Sequence, residues 1–500
     1  MKIKNKFTAV VLLATFATTL HGCSFAGISD NDLLQPPKAT GVKAEIQNVL
    51  ETTTKGDYKL KYPQSGDYRS AIIMYDIDGN DGEEAIAFYK TGKDNASVNI
   101  IFMKDVGGKW EAIKSFTNAN SEVDRVCFGD VDNDGCNEVI VGWSSYLTEG
   151  NQITLYNYNN DIIDQIVVND DTTYTDMILM DITNDQVNDL VVLTSFADEK
   201  LSKTNTSARL YSSCINGKFS KVSEIPITSK IISYSQVLQG NISKNVKGLF
   251  IDGYTANQNE QLTEVLYYSD EIKSLAAPLY ISDEDEKFEN ITLRNTATLC
   301  KDINSDGIIE IPSPYTPIIS GYENTSCPIN RWCKINLEDN SYIETEQTVA
   351  SYSDGYYFVL PKEWYEKIAV VNDNTTRTTT FYEISDIKSS SKVPTENSTD
   401  IGSESATVPD LEKKDEESTE LSTEKNTEQQ IIEINNESLL TIKVFSEKVW
   451  ENEKKERLAE GYNVLEQENG LVYTCKLGKS NSSGLNLSTE QVSSNFKLIQ

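Results

Sequence analysis

The chain has 500 residues, of which 77 are acidic and 45 basic, for a net charge of −32. A surface this negative repels phosphate backbones, so nucleic acid is excluded as an expected partner. Its 25 tyrosines, with many Ile, Val and Thr, favour strands over helices, and the length allows several domains.

The first 22 residues read as an export signal. Lys2, Lys4 and Lys6 precede an apolar run from Phe7 to Leu20. The sequence Leu20-His21-Gly22-Cys23 resembles a bacterial lipobox. That resemblance implies cleavage before Cys23 and acylation of the cysteine, palmitate included. Residues 23–37 then form a tether ending in Pro36-Pro37. No later stretch approaches the ~20 apolar residues of a membrane span. The expected location is the extracytoplasmic face of the cell membrane, reached through the lipid. The one histidine, His21, falls inside the removed segment, so the mature chain has no imidazole. This excludes Ser-His-Asp and Cys-His nucleophiles and His-ligated zinc. Beyond Cys23 the cysteines form no CxxC pair. Cys127 with Cys136, or Cys327 with Cys333, could be bridged, or all could be small buried side chains.

Residues 38–67 hold one helix and a lead-in. Val42, Ile46, Val49 and Leu50 share a helical face, Gly56 closes it, and it should lie on the first strands. From 68 to 350 the pattern is strand-like and repeats. DIDGNDGEE (76–84), DVDNDGCNE (130–138), DITNDQVND (181–189) and DINSDGIIE (302–310) all carry an acid at the first and ninth places. They recur about every 50 residues, a spacing that suits a four-stranded propeller blade. Between the third and fourth, LQGNISKNVKGLFI (238–251) keeps the flanking pattern without the carboxylates and reads as a metal-free copy. Apolar runs follow the loops, Ala85 to Phe88, Val139 to Val141 and Leu190 to Leu193, as in strands buried on both faces.

Alternating carboxylates on a tight turn converge their oxygens, and calcium takes roughly six to eight of them. On these loops the chain resembles the FG-GAP/VCBS repeat family, whose ring is that of the integrin alpha-chain head. The resemblance covers about 280 residues and implies a β-propeller of about five four-stranded blades with calcium in its loops, the blades forming a recognition surface. Carried onto this sequence, the ligands would be Asp76, Asp78, Asn80 and Glu84; Asp130, Asp132, Asp134 and Glu138; Asp181, Asp185 and Asp189, with Thr183 a poor fourth; and Asp302, Asn304, Asp306 and Glu310. The chain departs from the family at Asp81, where glycine is usual, and in using Glu where the family has Asp. The ion would be structural. The alternative is a set of turns held by Asp-to-backbone hydrogen bonds without metal.

Residues 351–500 read as a small α+β domain. Its expected strands include Ile368 to Val371, Thr378 to Ile384 and Leu439 to Phe445. A helix capped by Ser446 runs through Glu460 and is stopped by Gly461, a hairpin follows over 462–476, and Ser488 with Gln491 makes a capping box. An insert at 386–430, rich in Ser, Thr, Glu and Lys, is expected to be disordered. Trp364 and Trp450 are assigned to the core. The layout resembles the C-terminal domain of Firmicutes lipoproteins that carry the same propeller, which names no activity.

The expected function is that of a lipid-anchored scaffold binding a protein or glycan of the cell envelope. No catalytic motif is found. The alternative is an enzyme acting on extracellular polysaccharide through paired carboxylates.

Overall fold

The computed structural model describes residues 41–500 apart from 93, 145–149, 160–161, 167, 169–170, 199–202, 214–218, 258, 281–290, 296, 391–428, 480–483 and 500. The export signal, Cys23, the tether, Cys214 and nearly all of the expected insert lie outside the described residues. What is described is mostly β, in several antiparallel sheets, with three α-helices. No described helix is long and apolar enough to cross a membrane. The chain falls into two compact units, 1–173 and 174–500.

In the first unit, helix α1 (Val42–Thr54) precedes two sheets. In the first sheet Lys59–Lys61 and Ile72–Tyr75 both pair with Glu84–Thr91, followed by Asp94–Asp105 and Trp110–Asn118. The second contains Glu122–Gly129, Glu138–Ser144, Asn151–Asn159 and Ile162–Ile166, paired in that order. The apolar run of Glu84–Thr91 explains how these elements stack. Its side chains alternate between the faces of the sheet. Ile86 and Phe88 join Val139, Val141, Trp143 and Tyr156 of the second sheet in one core. Ala85, Ala87 and Tyr89 face the other way and meet Ile46 and Leu50 of α1. Both faces are therefore buried, as the unbroken apolar pattern requires. The helix ends at Lys55 in the left-handed conformation, and Gly56 N–H donates to Glu51 O at 2.9 Å.

The second unit has four sheets. The third sheet runs Asp176–Met180, Asp189–Asp198, Lys203–Ser212 and Ser220–Pro226. The fourth runs Ser233–Ser243, Val246–Tyr254, Gln261–Ser269 and Ser274–Ala276, and here the missing acidic loop is a tight turn between paired Ser243 and Val246. The fifth contains Ile311–Tyr315, Ile329–Asn336, Ser341–Ser351, Tyr356–Val359 and Phe496–Leu498. The expected boundary at 350–351 therefore falls inside this sheet. Tyr356–Val359 covers the open edge of Ser341–Ser351 and is itself covered by the last strand of the chain.

The sixth sheet orders Ile368–Asp373, Thr378–Ser390, Gln429–Ser446, Leu471–Leu477 and Tyr462–Glu468. Its long strand pair reaches Ser390 and Gln429, so both ends of the expected insert are strand: Ile387 pairs with Ile432, and Ser389 with Gln430. Helix α2 (Glu447–Ala459) starts at Ser446, whose side chain accepts from Val449 N. Helix α3 (Thr489–Asn495) carries the full Ser488–Gln491 capping box. Trp364 and Trp450 are buried, the first donating its indole N–H to Leu485 O at 2.8 Å. The six described cysteines are free thiols, so neither candidate bridge forms.

A buried polar cluster fixes residues 292–300 to the fourth sheet. Arg294 and Asp252 form an ion pair at 2.8 Å with both side chains fully buried. Arg294 also donates to Thr298 O, Thr263 Oγ1 and Thr292 O, and Asp252 accepts from Cys300 N at 2.8 Å and from Thr263 Oγ1 at 2.6 Å. With these partners the buried charges are satisfied; removal of one leaves the other bare in a low-dielectric site. Arg294→Met is expected to destabilise the second unit by about 3–5 kcal/mol in urea unfolding. The double change Asp252→Leu with Arg294→Met should cost less than that single change.

Candidate functional site

The four acidic loops are built alike, from the backbone outward. At the first place both carboxylate oxygens accept loop N–H groups. Asp76 accepts from Asn80 and Asp81 (3.1 and 3.1 Å), and Asp130 from Asn133 and Gly135 (2.6 and 3.0 Å). Asp181 accepts from Asp185 and Gln186 (3.0 and 3.2 Å), and Asp302 from Asp306 and Gly307 (3.1 and 2.8 Å). The wrap needs positive φ at the fourth and sixth places. Gly79, Asn133, Asn184 and Ser305 supply the former; Asp81, Gly135, Gln186 and Gly307 the latter. Thus Asp81 takes up the conformation that glycine gives freely at that place. Gly79 has a second reason to be glycine, since a Cβ there would lie 2.5 Å from Gly135 O of the next loop.

The ninth-place acid turns inward. Glu84, Glu138, Asp189 and Glu310 are all essentially buried. One oxygen of each accepts the N–H of the second-place residue: Ile77 at 3.0 Å, Val131 at 2.8 Å, Ile182 at 3.1 Å and Ile303 at 3.0 Å. Those four residues are themselves buried and apolar. The loop is thus pinned by an apolar side chain and by a carboxylate on that same residue's amide. Successive loops also touch within each unit. Asn137 donates its backbone N–H to Ile77 O (2.7 Å) and its side-chain amide to Asp76 O (2.9 Å). Asn241, at the tight turn of the fourth sheet, donates to Gly307 O at 2.9 Å.

Three loops bring carboxylate oxygens within 4.8 Å of one another: Asp76, Asp78 and Glu84; Asp130, Asp132 and Glu138; Asp181, Asp185 and Asp189. The other expected ligands make hydrogen bonds of their own. Asn80 donates to Asp78 Oδ2 and accepts from Gly82 N. Asp134 accepts from Cys136 N, and Thr183 gives its hydroxyl to Asp189. Asn304 gives its amide to Glu310 Oε1. A carboxylate oxygen that accepts one N–H keeps a lone pair for a cation, so the backbone bonds and a metal are compatible.

The loops differ in what faces these acids. Lys104 Nζ lies 2.7 Å from Asp78 Oδ2 and 3.9 Å from Glu84 Oε1. Lys334 pairs with Asp306 and lies 3.5 Å from Glu310 Oε1. Lys247, from the fourth sheet, reaches Asp181 Oδ2 at 2.5 Å. At 130–138 the neighbour is an amide, Asn157 Nδ2, 3.2 Å from Asp132 Oδ2. Glu138 Oε1 there is buried with no hydrogen-bond partner. Burial pushes the Glu138 carboxyl up to about 8 against the Val131 N–H, helped by Asp132, Asp134 and Asp130. Burial also raises Glu84, Asp189 and Glu310. Asp306 is lowered, first by its hydrogen bond from Lys334. The residues at 130–138 therefore offer what a hard cation takes, clustered oxygens with one of them buried and unpartnered, as Asp189 Oδ1 also is at 181–189. The lysines are what sequence reading missed, because they sit in the chain far from the acids they meet.

No family model matches the chain, and no curated protein matches it. Among solved structures it is similar to the exotype rhamnogalacturonan lyase YesX, at 9% identity and a TM-score of 0.29 over 66% of this chain and 72% of that one. It is also similar to the Dos1 propeller, at 12% identity and a TM-score of 0.27 over 57% of this chain and 65% of that one.

Thermal unfolding of the full chain checks the donor set. With millimolar calcium present, Asp132→Ala should lower the melting temperature, and a chelator should lower that of the wild type by several degrees. A melt that ignores the chelator would contradict a bound ion.

Proposed function

We propose that the protein is a lipid-anchored extracytoplasmic scaffold. In this reading the sheets carrying the acidic loops are blades of an FG-GAP-like β-propeller, stiffened by calcium, whose loops offer a binding surface to a protein or glycan of the envelope. One observation carries the reading: the same acid-pinned loop occurs four times, three times between paired strands and once closed by the isolated Lys301–Glu310 bridge, and neighbouring sheets within each unit are joined at these loops through Asn137 and Asn241. Such repetition suits an architecture in which each sheet buries its faces against the next. The ion's role in it is to hold turns. The lipid on Cys23 would keep the scaffold at the membrane surface. Two signals usually make such anchoring stable; a second acyl chain at the cysteine would serve.

The second reading, an enzyme acting on polysaccharide, draws on a different feature. A cleft of about 380 Å³ in the second unit is lined by Tyr315, Arg331, Glu344, Gln347, Glu366 and Ile432, among others. It combines two carboxyl side chains with an apolar wall, the composition that glycosidic chemistry uses.

Three experiments test these readings. Labelled palmitate fed to expressing bacterial cells should enter the wild-type chain and not Cys23→Ser, which should leave the membrane fraction. The full chain on beads, incubated with envelope extract, should retain a defined protein or glycan in calcium and lose it in chelator. Release of reducing ends from envelope polysaccharide, abolished by Glu344→Gln with Glu366→Gln, would instead favour the enzyme.

A further inference from the structure

A second cleft in the second unit, of about 350 Å³, shares no residue with the acidic loops or with the cleft at Tyr315. It lies where the ends of Ser341–Ser351 and Ile368–Asp373 meet residues 324–328. That segment is held by Asn372 N–H on Thr325 O and Cys327 N–H on Val370 O, both at 2.8 Å. Asn324, Asn372 and Asn374 bring side-chain amides to the cleft, and Ser351 and Ser353 bring hydroxyls. None of the described lining residues is charged, although charged residues make up 24% of the chain. Asp354, next to Ser353, is buried, with Arg377 Nε 2.6 Å from its Oδ1 and Ser351 Oγ 3.0 Å from its Oδ2.

Two features prepare the cleft for a ligand. Tyr352 is 61% exposed, and its hydroxyl is hydrogen-bonded to Thr298 Oγ1 at 3.0 Å. The bond holds the ring by its tip and leaves the rest in solvent. A chain of hydrogen bonds also rises from the core. Buried Tyr356 donates to buried Thr379 Oγ1 at 2.7 Å, and Thr379 donates to Asn372 Oδ1 at 3.1 Å. Asn372 Nδ2 then donates to Asn374 Oδ1 at 2.9 Å. Both amides are thereby oriented, and each keeps donor and acceptor capacity for a ligand.

We infer that this cleft binds a neutral glycan, with a pyranose ring stacked on Tyr352 and its hydroxyls bonded to Asn372 and Asn374. The inference rests on the reading that the protein binds a glycan of the envelope. A pyranose has an apolar C–H face and a rim of hydroxyls that both donate and accept. A fixed aromatic ring matches the face, and planar amides match the rim. The volume is that of a small-ligand site. An acidic glycan finds no cation in the lining and meets a chain of net charge −32. A peptide needs a pocket for an anchoring side chain. Apart from Tyr352, the described lining holds no large apolar residue.

The full chain is tested on an array of soluble oligosaccharides: neutral glucose, galactose, mannose and N-acetylglucosamine series, and an oligouronate series. Retention of a neutral series, and of no oligouronate, is expected. Calorimetric titration with the retained sugar should give a Kd raised about tenfold or more by Tyr352→Ala and by Asn374→Ala. Both residues are exposed, and circular dichroism checks that each variant is folded. A Kd unchanged by Tyr352→Ala would place the sugar elsewhere and overturn the inference while leaving glycan binding intact. Oligouronates retained by the wild type and lost by Tyr352→Ala would overturn the neutral class. Retention of no sugar would overturn both the inference and the glycan reading beneath it.

Discussion

A buried carboxylate accepting the amide of the loop's second residue is the interaction on which the repeated part of the structure depends. It is costly by itself, since burial disfavours the charged form, and burial raises all four ninth-place acids. It persists because it serves two ends. It satisfies a backbone N–H that would otherwise be orphaned under the sheet, and it fixes where the next strand begins. The apolar second-place side chain, Ile77, Val131, Ile182 or Ile303, anchors the loop from the same residue. Sequence, turn and packing meet at one point, and the first-place aspartate then winds the exposed half of the loop around its own oxygens.

The charge of such loops must be balanced, and the chain as a whole is strongly acidic. Three loops are balanced from within by lysine. These pairs are partly exposed, and solvent screens them, so each adds little to stability. The fully buried Arg294–Asp252 pair solves another problem. It ties to the fourth sheet Arg294, which otherwise meets that sheet through an isolated bridge to Gln261.

Much of this was legible in the sequence. The strands after each loop, the apolar face of α1, the Ser446 cap and the Ser488 capping box follow from period and local chemistry, which act over a few residues. The loops were legible for the same reason, down to the unusual Asp81. What escaped reading depends on contacts between distant residues. Phe496–Leu498 pairs with Tyr356–Val359 across more than a hundred residues, and this hides the true edge of the fifth sheet. Lys104 and Lys334 face equivalent acids, yet the hairpins that bring them there differ in length, so no fixed spacing marks them. Arg294 sits in a stretch with no periodicity. Strand Thr378–Ser390 runs on into residues whose composition alone suggests disorder, because pairing with Gln429–Ser446 satisfies its backbone.

Amide hydrogen exchange on the full chain reaches the central interaction most directly. If the ninth-place acids pin the loops, the N–H groups of Ile77, Val131, Ile182 and Ile303 exchange as slowly as the strands beside them, while the exposed outer-loop amides exchange faster. Exchange of those four at the outer-loop rate would contradict the account.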